Sequence, residues 1–325
     1  MHIRSKNHGF TIVELLIVVV VIAILAAITI VAYNGIQQRA RTSAAQSELS
    51  SAIKKLEAYR YNGISNERYP ADLATADVKS SNNVTFNYYP NVTSNAYCLE
   101  AVSGTLTYVT TSLTKSSDTG TCSVTNGLVG WWKLNGNTAD SAGTNNATAV
   151  GSAPTTGQNQ QANTAYSFNG SNQHMTSGTT NFPFDAASRS VFAWVNLASY
   201  PSTFRMVHSY GSTVATKASA LSINSAGRVT FNSQSNDFSS NFTLALNEWH
   251  HIGYSISGNQ VTIYYDGQSQ TATISALTTA TNAHYIGAWL STNTNLWSGF
   301  IDDLRLYNRA LSAGEVNSLY SAGAQ

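Results

Sequence analysis

Charge is scarce in this chain. Only 10% of its residues are Asp, Glu, Lys or Arg, against about a quarter in typical soluble domains. Ser, Thr, Asn and Gly fill the deficit, a mix that suits extracellular β-rich surfaces. The net charge is +1, and nothing clusters into the basic footprint that nucleic-acid binding requires. Cysteine is nearly absent as well. The pair Cys98 and Cys122, with no His close by in sequence, is too small a set for a thiolate metal site and unsuited to a Cys nucleophile. There is no Ser/His/Asp arrangement, no nucleophile elbow and no internal repeat of fixed period.

Present instead is an apolar run from Phe10 to Tyr33 with one carboxylate, Glu14, near its start. Residues 15–32 carry no charge, and Thr29 is their one clearly polar side chain. At ~1.5 Å per residue a helix through them spans ~27 Å, enough to cross a bilayer core. A secretory signal peptide has a shorter apolar core and a small-residue exit; here Tyr33-Asn34-Gly35-Ile36-Gln37-Gln38-Arg39 leads into further helical sequence. A plain single-span anchor explains the length but not Glu14, whose charge costs roughly 3 kcal/mol at mid-bilayer.

The stretch Gly9-Phe10-Thr11-Ile12-Val13-Glu14-Leu15-Leu16, preceded by a short leader with Arg4 and Lys6 and no acid, resembles the processing and methylation site of type IV pilins and type II secretion pseudopilins. The resemblance continues through Ile24-Leu25-Ala26-Ala27-Ile28 to Ala32-Tyr33. It implies a leader over 1–9, cut by a prepilin peptidase between Gly9 and Phe10, N-methylation of Phe10, and an assembly helix over 10–33. It also implies that Glu14 pairs with the Phe10 amine of a neighbouring subunit, which offsets the cost of its burial. Where the family often has Pro, this chain has Val31, so Gly35 is the nearest weak point of the helix. The basic leader keeps the N-terminal flank in the cytoplasm and places everything after Tyr33 outside. In that compartment a Cys98–Cys122 disulfide is favoured, with about 3 kcal/mol of stabilisation in the chain-entropy model.

Beyond the span, Ile36, Ala40, Ala44, Ala45, Leu49, Ala52, Ile53, Leu56 and Tyr59 recur at spacings of three and four, one face of a helix running to about Tyr61. That stripe needs a sheet, expected at 84–89, 96–102 and 106–111, which are rich in β-branched and aromatic residues. Tyr69-Pro70, Asp72-Leu73 and Tyr97-Cys98-Leu99-Glu100-Ala101 resemble the pilin head over 34–122, in which the Cys pair staples the last loop to the sheet. The expected fold class is therefore an α+β pilin followed, after a linker at 123–127, by an all-β sandwich over 128–325, where short apolar runs alternate with turns.

Gly127-Leu128-Val129-Gly130-Trp131-Trp132, Tyr166-Ser167-Phe168-Asn169-Gly170, Val191-Phe192-Ala193-Trp194-Val195, Glu248-Trp249-His250-His251-Ile252 and Gly299-Phe300-Ile301-Asp302-Asp303-Leu304 resemble, in order and spacing, the laminin-G-like, concanavalin A-like jelly roll. The hydrolases of that fold use a Glu-x-Asp-x-Glu strand to aim two carboxylates into a cleft, and this chain has none. Strand alternation predicts opposite faces for Asp302 and Asp303, and likewise for His250 and His251, so neither pair acts on one ligand. Trp132, Trp194 and Trp249 stand at core-like positions. Trp289, in the polar loop 288–295, is the candidate for stacking on a sugar, weighed against packing at the rim. Asp140 and Asp302 stand where jelly-roll relatives hold a structural calcium.

The expected function is non-enzymatic. The chain reads as a minor type IV pilin-like subunit that presents a lectin-like jelly roll to a glycan or surface-protein ligand. Its partners would be prepilin peptidase, other pilin subunits and, before assembly, the inner membrane; the jelly roll would be displayed on a pilus or the cell surface. The alternative is a type II secretion pseudopilin that engages cargo through the jelly roll, and a polysaccharide hydrolase ranks below both.

Overall fold

The computed structural model describes residues 12–62, 67–91, 95–112, 115, 117–122, 124–290 and 294–324. One helix, α1 (Ile12–Arg60), runs without a break through Gly35. From Leu15 to Ile30 it is apolar on every side, and those side chains have no cover within the chain: Leu25, for example, is 58% exposed. The one polar side chain in that stretch is satisfied internally, since Thr29 Oγ1 donates to the Leu25 carbonyl at 2.7 Å. Such a surface suits lipid or neighbouring helices rather than water. Its hydropathy and length qualify it as a membrane span.

The second half of α1 turns a stripe inward. Ala45, Leu49, Ala52 and Leu56, at spacings of four, three and four, are buried against a four-stranded antiparallel sheet. Its strands follow one another in chain order: Thr85–Asn91, Ala96–Ser103, Leu106–Thr111 and Asp118–Thr119. Val84, Tyr97, Leu99, Ala101 and Tyr108 complete this core. Past the helix end the Tyr69 hydroxyl donates to Glu57 at 2.7 Å and accepts from Arg60 at 3.2 Å, tying the returning chain to the last helical turns. Cys98 and Cys122 form a disulfide with a Cα–Cα distance of 5.9 Å. The buried Glu100 supports it by accepting the Cys122 amide at 2.7 Å and the Asn87 side-chain amide at 2.9 Å.

Two antiparallel sheets follow. In the first, the strand order is Gln268–Thr273, Gln260–Tyr265, Trp249–Ser257, Arg189–Leu197, Ser298–Tyr307, Ala165–Asn169 and Ala153–Thr155, with Leu128–Trp132 also paired to Ser298–Tyr307. In the second it is Phe238–Thr243, Arg228–Asn232, Ala218–Asn224, Phe204–Gly211, His284–Ile286, His174–Ser177 and Thr148–Val150. The Asp266-Gly267 hairpin has both central residues at positive φ (47° and 81°), as a two-residue turn that follows strand twist requires. Alternate residues fill the space between the sheets: Val191, Ala193, Val195 and Leu197 from one strand, Ile252, Tyr254 and Ile256 from the next. This is the sandwich logic of one buried and one outward face per strand.

The strand Ser298–Tyr307 breaks the alternation. Ile301, Leu304 and Leu306 all enter the core, so two residues fall between the first two inward positions. The register against Arg189–Leu197 slips there, and Asp303 adopts φ +49°. This is a β-bulge, with two residues opposite one. It overturns the expectation that Asp302 and Asp303 face opposite ways, because both point away from the core.

The short C-terminal helix α2 (Ala313–Ala322) opens with a capping box between Ser312 and Glu315. Arg309 clamps Glu315 through two bonds of 3.0 and 2.6 Å. Val316 and Leu319 pack on the outward face of the first sheet with Phe192, Tyr264 and Tyr307. Ala322 packs against the Cys98–Cys122 bridge and Val109 of the head. One helix therefore touches both the jelly roll and the disulfide of the head.

Candidate functional site

Gly9 and Phe10 lie outside the described residues, as does the side chain of Glu14, whose backbone belongs to α1. The cysteines are bridged as expected. Of the remaining candidates, Asp302 and Trp289 fall on the outward surfaces of the two jelly-roll sheets, and Asp140 lies in a loop beside the first.

Beneath the bulge lies a buried polar cluster. Asp303 accepts from the Trp131 indole at 2.5 Å and from Arg305 through Nε (3.1 Å) and Nη2 (2.9 Å). Arg305 also lies 4.4 Å from the Trp131 ring centre, a cation–π contact out of water. Burial works against the Arg305 charge, but the Asp303 carboxylate more than compensates and its pKa is raised. Asp302, fully buried, accepts the Gln158 amide at 3.0 Å through Oδ2, while Oδ1 has no partner. Burial first, and the Asp303 charge second, push its carboxyl well above the usual range. Gly157 permits this approach, since a Cβ there would sit 2.6 Å from Asp302 Oδ2. Although the two acids share a face, they are closed to solvent and Asp303 is bound to Arg305, so no acid/base cleft results.

Asp140 has a different task. Its Oδ1 accepts the amides of Trp131 (2.9 Å) and Ala142 (3.0 Å), and its Oδ2 that of Asn145 (3.0 Å). The carboxylate organises its own loop. Among the described residues no three His, Cys, Asp or Glu side chains come together as a metal site. Asp140 is turned to backbone amides, and Asp302 is fully buried with Oδ2 on the Gln158 amide, so neither carboxylate is presented to a cation.

The histidines and tryptophans also sort by face. Asp266 accepts the His251 amide at 2.8 Å and holds His250 Nδ1 at 2.7 Å. The His251 ring lies between Phe192 and Trp194, and burial foremost, with Arg305 nearby, pushes its pKa down to about 3. Trp132 is in the inter-sheet core. Trp194, on the outward face, is covered by Tyr320 of α2 at 5.7 Å. Trp289 is 9% exposed and packs with Met206, Ala218, Ala220 and Leu290. The expected sugar-stacking ring is thus built into the structure rather than presented, because the apolar outer surface of the second sheet captures it.

Trp249 is the reverse case. Grouped with core positions by its motif, it is partly exposed. Alternation could have found it: Ile252, Tyr254 and Ile256 point inward, so Trp249 belongs to the opposite face. It borders a cavity of about 410 Å³ with Trp194, Tyr320, Asn247, Glu248 and Gln160, floored by the His250–Asp266 pair. A second cavity, of about 660 Å³, lies where the head meets the jelly roll, beside the mutually satisfied Arg309 and Glu315.

Comparison with known proteins adds family to this geometry. The family described as the concanavalin A-like lectin/glucanases superfamily matches residues 169–317, and the prokaryotic N-terminal methylation motif matches residues 4–30. The chain is 37% identical over 94 residues to the type IV wide pilus major component PilA4 of Thermus thermophilus, a match that covers 29% of this chain and 71% of that protein. Among solved structures, the binding domain of Paraclostridial Mosquitocidal Protein 1 matches with a TM-score of 0.50 at 16% identity, over 60% of this chain and 52% of that one. Domain 4 of AbnA, an extracellular arabinanase of Geobacillus stearothermophilus, solved with arabinotriose, matches with a TM-score of 0.48 at 19% identity, over 61% and 98%. At such identities structural likeness bears on fold alone.

Proposed function

The chain belongs to the type IV pilin family, and from that premise we propose that it is a minor filament subunit that carries a lectin-like jelly roll to the cell surface for adhesion. One observation carries the reading. The matched stretch accounts for most of the Thermus pilin but under a third of this chain, and the remainder is largely a sandwich bound to the head through α2. A load of that size on every subunit would crowd a filament, so sparse or terminal placement fits better than the role of main subunit.

In this reading prepilin peptidase cuts between Gly9 and Phe10, and α1 holds the subunit in the inner membrane with head and jelly roll outside. Glu14 then meets the Phe10 amine of a neighbour during assembly. The jelly roll binds a ligand and catalyses nothing; polysaccharide cleavage by the purified chain would overturn that part.

Quantitative immunoblotting of sheared filaments tests the rest. The chain should be present, at well under the abundance of the main subunit, and Glu14→Ala should remove it from filaments while leaving membrane insertion intact. Equal abundance would sink the minor-subunit reading, and unchanged incorporation of Glu14→Ala would reduce α1 to a plain anchor. Loss of protein secretion with intact filaments, on deletion of the chain, would assign it to a secretion pseudopilus instead.

A further inference from the structure

Across the outward face of the first sheet, strand register places Trp249 opposite Asn196, Asn196 opposite Phe300, and Phe300 opposite Ser167. All four point away from the core, since their neighbours Val195, Leu197, Ile301 and Phe168 point into it. Along the same face α2 supplies cover only as far as Tyr320 over Trp194. Past it, Trp249 and Phe300 remain partly exposed, with ring centres 6.2 Å apart over a buried Asn196. Adjoining this aromatic surface is the 410 Å³ cavity, a size within the roughly 300–1,000 Å³ of small-ligand sites.

We infer that this cavity is a binding site for a neutral saccharide, with Trp249 as its platform; the inference rests on the adhesive reading above. A sugar ring has one face of C–H groups and a rim of hydroxyls. The flat Trp249 ring suits the first, by apolar contact and the attraction of polarised C–H groups to a π face. The second needs donors and acceptors at the rim. Asn247, Glu248 and Gln160 provide them: all three are exposed at the cavity, and among the described residues no intramolecular bond occupies their side chains. The Asn247 backbone is fixed by its amide bond to the Leu197 carbonyl at 2.9 Å, so these groups hang from an anchored corner.

Charge selects among sugars. Glu248 and Asp266 line the cavity and no Lys or Arg does, which opposes uronates, sialates and sulfated or phosphorylated chains.

Isothermal titration of the full chain in detergent, with cellohexaose, chitohexaose and hexagalacturonate as probes, tests this. Binding of at least one neutral probe is expected, with none of hexagalacturonate. Trp249→Ala should weaken it about tenfold or more, as for loss of a central aromatic contact. Glu248→Gln, at an exposed position that leaves folding alone, should weaken it about threefold. Neutral binding untouched by both variants overturns the site while sparing the adhesive reading. Tighter binding of hexagalacturonate overturns the charge argument and with it the inference. No saccharide binding at all also overturns it, whereas the adhesive reading stands or falls on filament incorporation and on attachment of cells carrying the deletion.

Discussion

The first half of α1 and the jelly roll answer one question, where apolar side chains go, in opposite ways. In α1, Ile17, Leu25 and Ile28 are more than half exposed within the chain, and only lipid or another subunit can cover them. In the jelly roll even the outward faces of the sheets are covered in part, by α2 on the first and by Trp289 on the second. The contrast separates two kinds of stability. The sandwich holds itself together, and the helix is completed by its surroundings. Between them, the second half of α1 behaves like the sandwich, with Leu49 and Leu56 fully buried.

The self-sufficiency of the sandwich is most exposed to mutation at its one fully buried ion pair among the described residues, Asp303–Arg305. Asp303→Ala leaves Arg305 charged and unpaired and removes the acceptor of the Trp131 indole. The expected loss is about 3–5 kcal/mol, the cost of stranding a buried charge, read as a fall in the jelly-roll melting transition by near-UV circular dichroism in detergent. A loss below about 1 kcal/mol would mean that water reaches Arg305 and the cluster is not closed.

A matched pair of substitutions within α1 sharpens the contrast. Leu49→Ala should cost about 2–5 kcal/mol of head stability, as for other fully buried leucines. Leu25→Ala, on the same helix and with the same chemistry, should leave the melting transition of the isolated chain within about 0.5 kcal/mol and act only on filament assembly. If both lower the transition alike, the first half of α1 packs on something inside its own chain.

How much of this was legible in the residues depends on which contacts fix it. The span and the inward stripe are written in local composition and in three- and four-residue spacing, because a membrane or a single sheet imposes one rule along the whole helix. The head strands and the Asp266-Gly267 turn are legible for the same reason. The bulge at Asp303 is not. Nothing local marks it, and it exists because two residues must face Ala193 across the sheet to bring Leu304 and Leu306 into the core. The two tryptophans were exchanged for a related reason. Trp289 sits in a polar segment, yet the apolar patch that buries it, Met206, Ala218 and Ala220, comes from strands far earlier in the chain. Trp249 carries a core-like motif but lies past the end of α2, where that helix gives no cover. The contact of α2 with the head disulfide joins the jelly roll to the head and has no signature in either.

The response to pH again divides the molecule. The span contributes nothing between Leu15 and Ala32, where no residue titrates, whereas the jelly roll holds the buried histidines His208, His251 and His284. Burial pushes His251 and His284 down to about 3, and burial, with His284 beside it, holds His208 well below its ordinary value. An unfolded chain binds protons at histidine near pH 6.5, while these folded sites stay neutral until far lower. The unfolded state therefore binds more protons over that window, and stability falls as pH is lowered through it. From pH 7 to 6 the loss is roughly 0.7 kcal/mol per histidine. Asp302 acts in the opposite sense. Its folded pKa is raised, so the folded state holds the extra proton from about pH 4 upward, and that stabilisation is lost as pH rises through the folded value. The two terms offset each other wherever their windows overlap. Asp302→Asn removes one of them, keeps a neutral side chain that can still accept the Gln158 amide, and should make the acid loss steeper than in the parent chain. An unchanged slope from pH 7 to 5 would mean that Asp302 is ionised in the fold, and the polar cluster under the bulge would then hold a net negative charge.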